Sequence, residues 1–315
     1  MPFRWRFVLI ALAVVLPLLA AACSAKETEG AENTVAPGTI AVVATTGMIA
    51  DLARRIAGDA ATVKTLMGPG TDPHLYKARE KDVRLLAHAD VVLYNGLHLE
   101  GKLGDVLKIL AKRKPVAAVT EAIDHASLRF PESFAGNPDP HVWFDVTLWM
   151  KAAERIRDAL IERGPAKKEM FTANAAALLA ELGELHAWCK SELAGIPKER
   201  RVLVTAHDAF GYFGRAYDVE VRGIQGISTE DEAGVKEVND LVELLAQRGI
   251  KAVFVESSVP KKNIEALVEG CRARGHAMRV GGELYSDAMG AEGTPEGTYI
   301  GMVRHNVRTI VAALK

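Results

Sequence analysis

The feature that most constrains the fold of this chain is an uninterrupted amphipathic stretch between Pro165 and Leu193. It contains no internal proline or turn cluster, and its only glycine is Gly183. Apolar side chains recur at the three- and four-residue spacing of one helical face: Phe171, Ala175, Leu178, Leu182, Leu185, Cys189 and Leu193. At about 1.5 Å per residue, such a helix would be roughly 40 Å long. We predict one long, rigid linking helix within residues 164–197.

Short apolar runs alternate with amphipathic stretches on both sides of this helix. The runs occupy residues 40–44, 62–67, 91–94, 116–119, 202–205, 220–223, 252–255 and 278–280. Strands that alternate with helices favour parallel sheets, and a chain of 315 residues suits two cores better than one. We therefore predict an α/β protein with an N-terminal lobe at residues 39–163 and a C-terminal lobe at residues 198–315.

The beginning of the sequence is typical of an export signal. Two arginines precede an apolar stretch from Phe7 to Leu19, and three alanines then lead to Cys23. This pattern predicts a signal peptide at residues 1–22, because a membrane-spanning helix needs roughly 20 apolar residues. The small residues before Cys23 resemble the lipobox of bacterial lipoproteins, which implies lipidation of that thiol; the alternative is a secreted protein with an unmodified cysteine. The polar residues 23–38 predict a tether to the outer side of a membrane.

Charge and cysteine content narrow the class of protein. The formal net charge is −1 and no long Lys/Arg run is present, so nucleic acid is not an expected partner. Besides Cys23, the chain has only Cys189 and Cys271. An exported location permits a disulfide between them, whereas the apolar stripe around Cys189 favours a buried thiol.

Three histidines occur in similar local settings. His74 and His141 follow proline-containing loops, and His207 follows an apolar run. Each would lie at or beside the carboxyl end of a strand, where open α/β sheets bind ligands. Asp287 follows the last short run and adds a carboxylate. Neutral imidazole and carboxylate are common ligands of transition metals, so these four residues are candidate metal ligands, although their spacing alone does not bring them together.

Six segments resemble a known family over nearly the whole chain after the tether. The family comprises the zinc- and manganese-binding solute-receptor lipoproteins of bacterial ABC importers. The segments are Gly70–Tyr76, Asn95–Glu100, Asp139–Asp145, Ala206–Phe213, Ile224–Thr229 and Tyr285–Gly290. Together they are specific, whereas any one of them alone would be a weak signal.

The resemblance implies a ligand set, a cargo and a partner. His74, His141, His207 and Asp287 would hold one Zn²⁺ or Mn²⁺ ion per chain, buried between two lobes that a long helix joins. The ion would be transported cargo, delivered to the permease of an ABC importer, and the protein would be a monomer without enzymatic activity. His207 stands where manganese receptors commonly carry glutamate, yet residues 121–137 lack the histidine-rich loop of many zinc receptors. The pattern therefore lies between the two types.

Other interpretations stay open at this point. Three histidines and a carboxylate also occur in zinc hydrolases, but the sequence has no His-Glu-x-x-His motif and no nucleophile elbow. A surface adhesin is a further alternative, although no particular residue favours it. Ligating histidines need neighbours that fix their orientation, and we expect Trp143 and Asp145 to support the loop that carries His141.

Overall fold

The computed structural model describes Met1, residues 38–230 and residues 232–315. The first lobe contains one fully parallel sheet with strand order β2-β1-β3-β4. Its strands are β1 (Ile40–Ala44), β2 (Ala61–Thr65), β3 (Val91–Tyr94) and β4 (Val116–Ala118). The prediction of a parallel sheet is confirmed here, and all four strands fall within or beside the predicted runs.

Helices cover the faces of this sheet. They are α1 (Gly47–Ala57), α2 (Glu80–His88), α3 (Gly104–Ala111) and α4 (Val146–Arg163). The strongly amphipathic α1 connects β1 to its parallel neighbour β2, as a parallel crossover requires. Asp145 caps α4 by accepting hydrogen bonds from the Thr147 amide and hydroxyl at 3.0 and 2.6 Å.

The predicted linking helix is present. A short 3₁₀ turn at Pro165–Lys167 leads into α5 (Lys168–Ala194), which ends at Gly195. Its fully buried positions are the seven residues of the apolar stripe found in the sequence. This face packs against α1, α4 and the final helix of the second lobe, so α5 is part of the core along its length.

The second lobe repeats the βα arrangement. Its strands are β5 (Val202–His207), β6 (Glu220–Gln225), β7 (Ala252–Glu256) and β8 (Arg279–Leu284). Parallel ladders join β5 to β6 and β7 to β8, and β5 lies beside β7. Its helices are α6 (Gly211–Tyr217), α7 (Val235–Arg248), α8 (Lys262–Ala273) and α9 (Tyr299–Leu314).

One hydrophobic cluster extends through both lobes and includes the buried face of α5. Polar contacts reinforce it: the amide of Tyr299 donates to Asp51 Oδ2 at 3.0 Å, and its hydroxyl donates to the carbonyl of Trp143 at 2.7 Å. Two smaller clusters fill the outer faces of the individual lobes. The lobes are therefore joined by a shared interior as well as by the helix.

The structure answers two questions that the sequence raised, one about a disulfide and one about membrane-spanning helices. Cys189 and Cys271 are both buried free thiols, so the disulfide that the sequence left open does not form. Each helix of the described part of the chain is too short or too polar to cross a bilayer. The predicted signal peptide, Cys23 and the tether up to residue 37 lie outside the described residues.

Candidate metal centre

The four candidate ligands come from four different loops, two from each lobe. His74 lies between β2 and α2, and His141 lies just before the 3₁₀ turn Val142–Phe144 that leads into α4. His207 is the last residue of β5, and Asp287 lies in the loop after β8. The carboxyl ends of β5 and β8 bring His207 and Asp287 to the boundary between the lobes, where the loops of the first lobe place His74 and His141.

The side chains meet at a single point. One ligating atom from each of the four residues lies within 4.8 Å of all the others. The Nε2 atoms of His74 and His141 are 3.3 Å apart, and Asp287 Oδ2 is 3.3 Å from His207 Nε2. Asp287 also approaches Nε2 of His141 at 3.4 Å and of His74 at 3.6 Å. Distances of this size match donor atoms that surround one small ion.

The four side chains of the cluster are buried to a degree that is unusual for polar residues. His141 and His207 are completely inaccessible, while Asp287 and His74 are 1% and 2% exposed. Among the described residues, neither carboxylate oxygen of Asp287 nor Nε2 of His207 has a hydrogen-bonding partner. Buried polar atoms without partners are costly, and a bound cation would satisfy all three. Three imidazoles and a carboxylate suit a divalent transition metal such as Zn²⁺ or Mn²⁺.

Two of the histidines are backed by a carboxylate. Nδ1 of His141 lies 2.8 Å from Asp139 Oδ1, and Nδ1 of His207 lies 2.6 Å from Glu256 Oε2. Asp139 holds a ring proton of His141 on Nδ1, and Glu256 lies at ion-pair distance from Nδ1 of His207, so Nε2 of each ring faces the centre of the cluster and offers its lone pair to a metal once the ring is neutral. Asp139 is itself held by Arg129 Nη1 at 2.6 Å, and Glu256 also accepts the amide of His207 at 2.9 Å.

His74 is positioned differently. Asp72 accepts the backbone amides of His74 and Leu75 through the same oxygen, at 2.9 and 3.4 Å. Within the described part of the chain, the only carboxylate within 4.0 Å of the His74 ring is Asp287. A cavity of about 260 Å³ reaches His74 and is lined in addition by His98, Gly101, Phe134, Asn137, Ser228 and Glu230. His74 is therefore the ligand that lies nearest to solvent.

The electrostatics of the three imidazoles differ accordingly. Burial lowers the pKa of His74 to about 3, against the opposing effect of Asp287. Burial acts in the same direction on His141, but Asp139 and Asp287 outweigh it and raise its pKa to about 9. The pKa of His207 is likewise raised despite burial, by Glu256 and Asp287. Burial alone would raise the pKa of Asp287, but the neighbouring His207 and His141 hold that pKa well below its ordinary value.

The supporting residues were only partly predicted. Trp143 does support the site: its ring packs edge-on against His141, with ring centroids 5.2 Å apart, and its Nε1 donates to Ser286 O at 3.1 Å. Asp145 caps α4 directly after the His141 loop, whereas the carboxylate that bonds to the His141 ring is Asp139, which was not predicted. Glu256 was missed, although a glutamate at the end of the apolar run 252–255 is a recognisable signal for a buried acid with a specific partner.

The fold and the site together define an α/β protein that encloses three histidines and one carboxylate between two parallel-sheet lobes. The chain belongs to the family described as zinc-uptake complex component A, periplasmic, whose model matches residues 42–313. It is 51% identical over 274 residues to a manganese-binding lipoprotein, MntA, of Bacillus subtilis, covering 87% of this chain and 89% of that one.

A second relative and its structure agree with this assignment. The zinc-binding protein TroA of Treponema pallidum is 49% identical over 288 residues, which cover 90% of this chain and 92% of that protein. The solved structure of periplasmic zinc-binding TroA superimposes with a TM-score of 0.86 at 50% identity, covering 88% of this chain and 99% of the other. This similarity extends over both lobes and the linking helix.

Proposed function

We propose that this protein is an extracytoplasmic receptor that captures one divalent transition-metal ion, Zn²⁺ or Mn²⁺, and delivers it to the permease of an ABC importer. The ligands are His74, His141, His207 and Asp287. The observation that carries the proposal is their convergence: four ligating atoms from two lobes lie within 4.8 Å of one another in a buried cluster. Relatives named for manganese and for zinc support the same assignment.

The donor set is compatible with either ion. Intrinsic affinity at a nitrogen and oxygen site favours Zn²⁺ over Mn²⁺, and availability in the compartment then decides which ion is bound. A catalytic zinc keeps one coordination position open for water, whereas four protein ligands enclose this site. The enclosed shell therefore favours transport of the ion over hydrolysis.

The proposal extends to the anchoring and division of the chain. Lipidation of Cys23 and cleavage after residue 22 would make Cys23 the first residue of an anchored chain, and residues 23–38 would tether the receptor to the outer side of the membrane. We divide the remainder into lobes at 39–163 and 198–315, linked by 164–197, and expect a monomer. The lipoprotein names of relatives support the anchor.

Metal content tests the proposal directly. The purified full chain, stripped with chelator and reloaded with Zn²⁺ or Mn²⁺ alone, should retain one ion per chain by elemental analysis. Asp287→Asn should lose that ion, since it removes the only negative ligand while nearly preserving shape. Asp105→Asn, at an exposed carboxylate of α3, is the matched control and should retain it. Equal retention by both variants would disprove the assigned site.

A further inference from the structure

The segment Ile224–Thr229 resembles the family but supplies no candidate ligand. It begins with the last two residues of β6 in the second lobe, and Thr229 at its end is 9% exposed. The hydroxyl of Thr229 donates to Asp72 Oδ2 at 2.6 Å, across the boundary between the lobes. A short, largely buried bond to a carboxylate is stronger than an ordinary hydroxyl contact.

Asp72 uses its two oxygens for two different lobes. Oδ2 accepts from Thr229 of the second lobe, while Oδ1 accepts the amide of His74 in the first lobe at 2.9 Å. One planar carboxylate therefore joins the position of Thr229 to the backbone of a candidate ligand. His141 and His207 have carboxylates at their own rings and do not depend on such a connection.

The neighbours of Thr229 lie over the approach to His74. Ser228 and Glu230 line the cavity that reaches the His74 side chain. Glu230 also pairs with Lys102 of the first lobe at 2.5 Å, but these side chains are 40% and 46% exposed. Exposed ion pairs contribute little, so the largely buried Thr229 bond is the stronger of these two contacts that the segment makes with the first lobe.

We propose that Thr229 is a positioning residue that acts as a latch on metal release. Through Asp72 it holds His74 in the ligating position, so movement of this segment away from the first lobe frees His74 before the other ligands. The ion then leaves through the cavity that His74 closes. This inference rests on the proposed function, because it requires His74 to be a ligand.

The test measures how fast Zn²⁺ leaves the full chain when excess chelator is added in a stopped-flow instrument. Thr229→Val keeps the shape of the side chain but removes its hydroxyl. It should accelerate release by about 10- to 100-fold, as for the loss of other outer-shell partners, while the association rate changes little. Thr229→Ser should restore slow release, because it returns the donor.

A matched control separates a latch from a general loss of stability. Thr147→Val also removes a 2.6 Å bond from a threonine hydroxyl to an aspartate, but both partners lie within the first lobe. It should release Zn²⁺ at the unaltered rate, even if both variants unfold at lower temperature. If Thr229→Val does not fold, Thr229→Ala provides the same comparison.

The possible results distinguish the latch from the function on which it depends. If His74→Ala weakens Zn²⁺ binding but Thr229→Val releases the ion at the unaltered rate, the latch is wrong and the site stands. If His74→Ala binds Zn²⁺ with unaltered affinity, the assignment of His74 is wrong and the latch falls with it. Equal acceleration by Thr229→Val and Thr147→Val would also overturn the latch.

Discussion

Three histidines meet at one site, but their loops position them in two different ways. The loop of His74 uses one way, and the loops of His141 and His207 use the other. His141 and His207 are each oriented at Nδ1 by a buried carboxylate. His74 is oriented through its backbone, by Asp72. The first arrangement fixes a ring directly, whereas the second fixes only the chain that bears it.

This difference has an electrostatic consequence. The carboxylates beside His141 and His207 also raise their pKa values, to about 9 for His141, and so favour the doubly protonated, cationic form of both rings when no metal is bound. Burial without such a partner leaves His74 neutral, with a pKa of about 3. The metal therefore binds one imidazole that is already neutral, that of His74, and must displace a proton from each of the other two.

The largest expected effect separates the two kinds of histidine by truncation. His207→Ala removes a ligand and leaves Glu256 buried without its partner, so Zn²⁺ affinity should fall by far more than the roughly 100-fold typical of outer-shell losses. His74→Ala also removes a ligand, but water from the adjoining cavity can replace it. Its affinity should exceed that of His207→Ala by at least about tenfold, or ~1.4 kcal/mol.

Competition with a chelating dye would measure both affinities. His125→Ala, at an exposed histidine remote from the cluster, serves as the control and should bind Zn²⁺ normally. Equal losses for His207→Ala and His74→Ala would remove the distinction between the two arrangements.

The second prediction concerns pH. The pKa of His141 is raised to about 9 and that of His207 is also raised, so both rings hold the proton that a metal must displace more tightly than a free imidazole does, and falling pH strengthens the competition of protons with metal. Two protons displaced per ion correspond to an affinity loss of about 100-fold for each pH unit between about pH 8 and 6. His74 should add nothing to this slope, because it is neutral over that range. Calorimetry in buffers of different ionisation enthalpy would count the protons released; a count of three would show that His74 also titrates.

The smallest effect should come from Asp139. Asp139→Asn retains an acceptor for His141 Nδ1 but removes the charge that raises the pKa of that ring. We expect Zn²⁺ affinity at neutral pH to fall about tenfold and the number of displaced protons to decrease from two to one. Asp145→Asn is the control, since asparagine also caps helices well and Asp145 does not contact His141. The same proton count in both variants would contradict the role given to Asp139.

Local sequence patterns predicted most of the secondary structure, because buried apolar residues recur at the regular spacing of a helix or a strand. The apolar stripe of α5 matches its buried residues, and strands β1 and β3 coincide with the predicted runs 40–44 and 91–94. The order of the strands could not be obtained in this way. Short parallel strands of similar composition can pair in several orders, and only tertiary packing selects β2-β1-β3-β4.

The four candidate ligands, which the structure brings together, were easier to select from the sequence than the residues that support them. Their motifs resemble a family, which implied a common site that spacing could not establish. The choice between Asp139 and Asp145 depends on the turn at Pro140, which directs one carboxylate back to the His141 ring and leaves the other to start α4. The bond between Thr229 and Asp72 joins residues 157 positions apart, beyond the reach of any local pattern.

The contacts of Tyr299 impose an order on folding. Its amide bonds to Asp51, 248 residues earlier in the chain, and its hydroxyl bonds to Trp143 in the first lobe. Because synthesis starts at the N-terminus, the residues of the first lobe are made well before α9, the helix that completes their packing. Contacts so distant in sequence form slowly, because a large loop must close first.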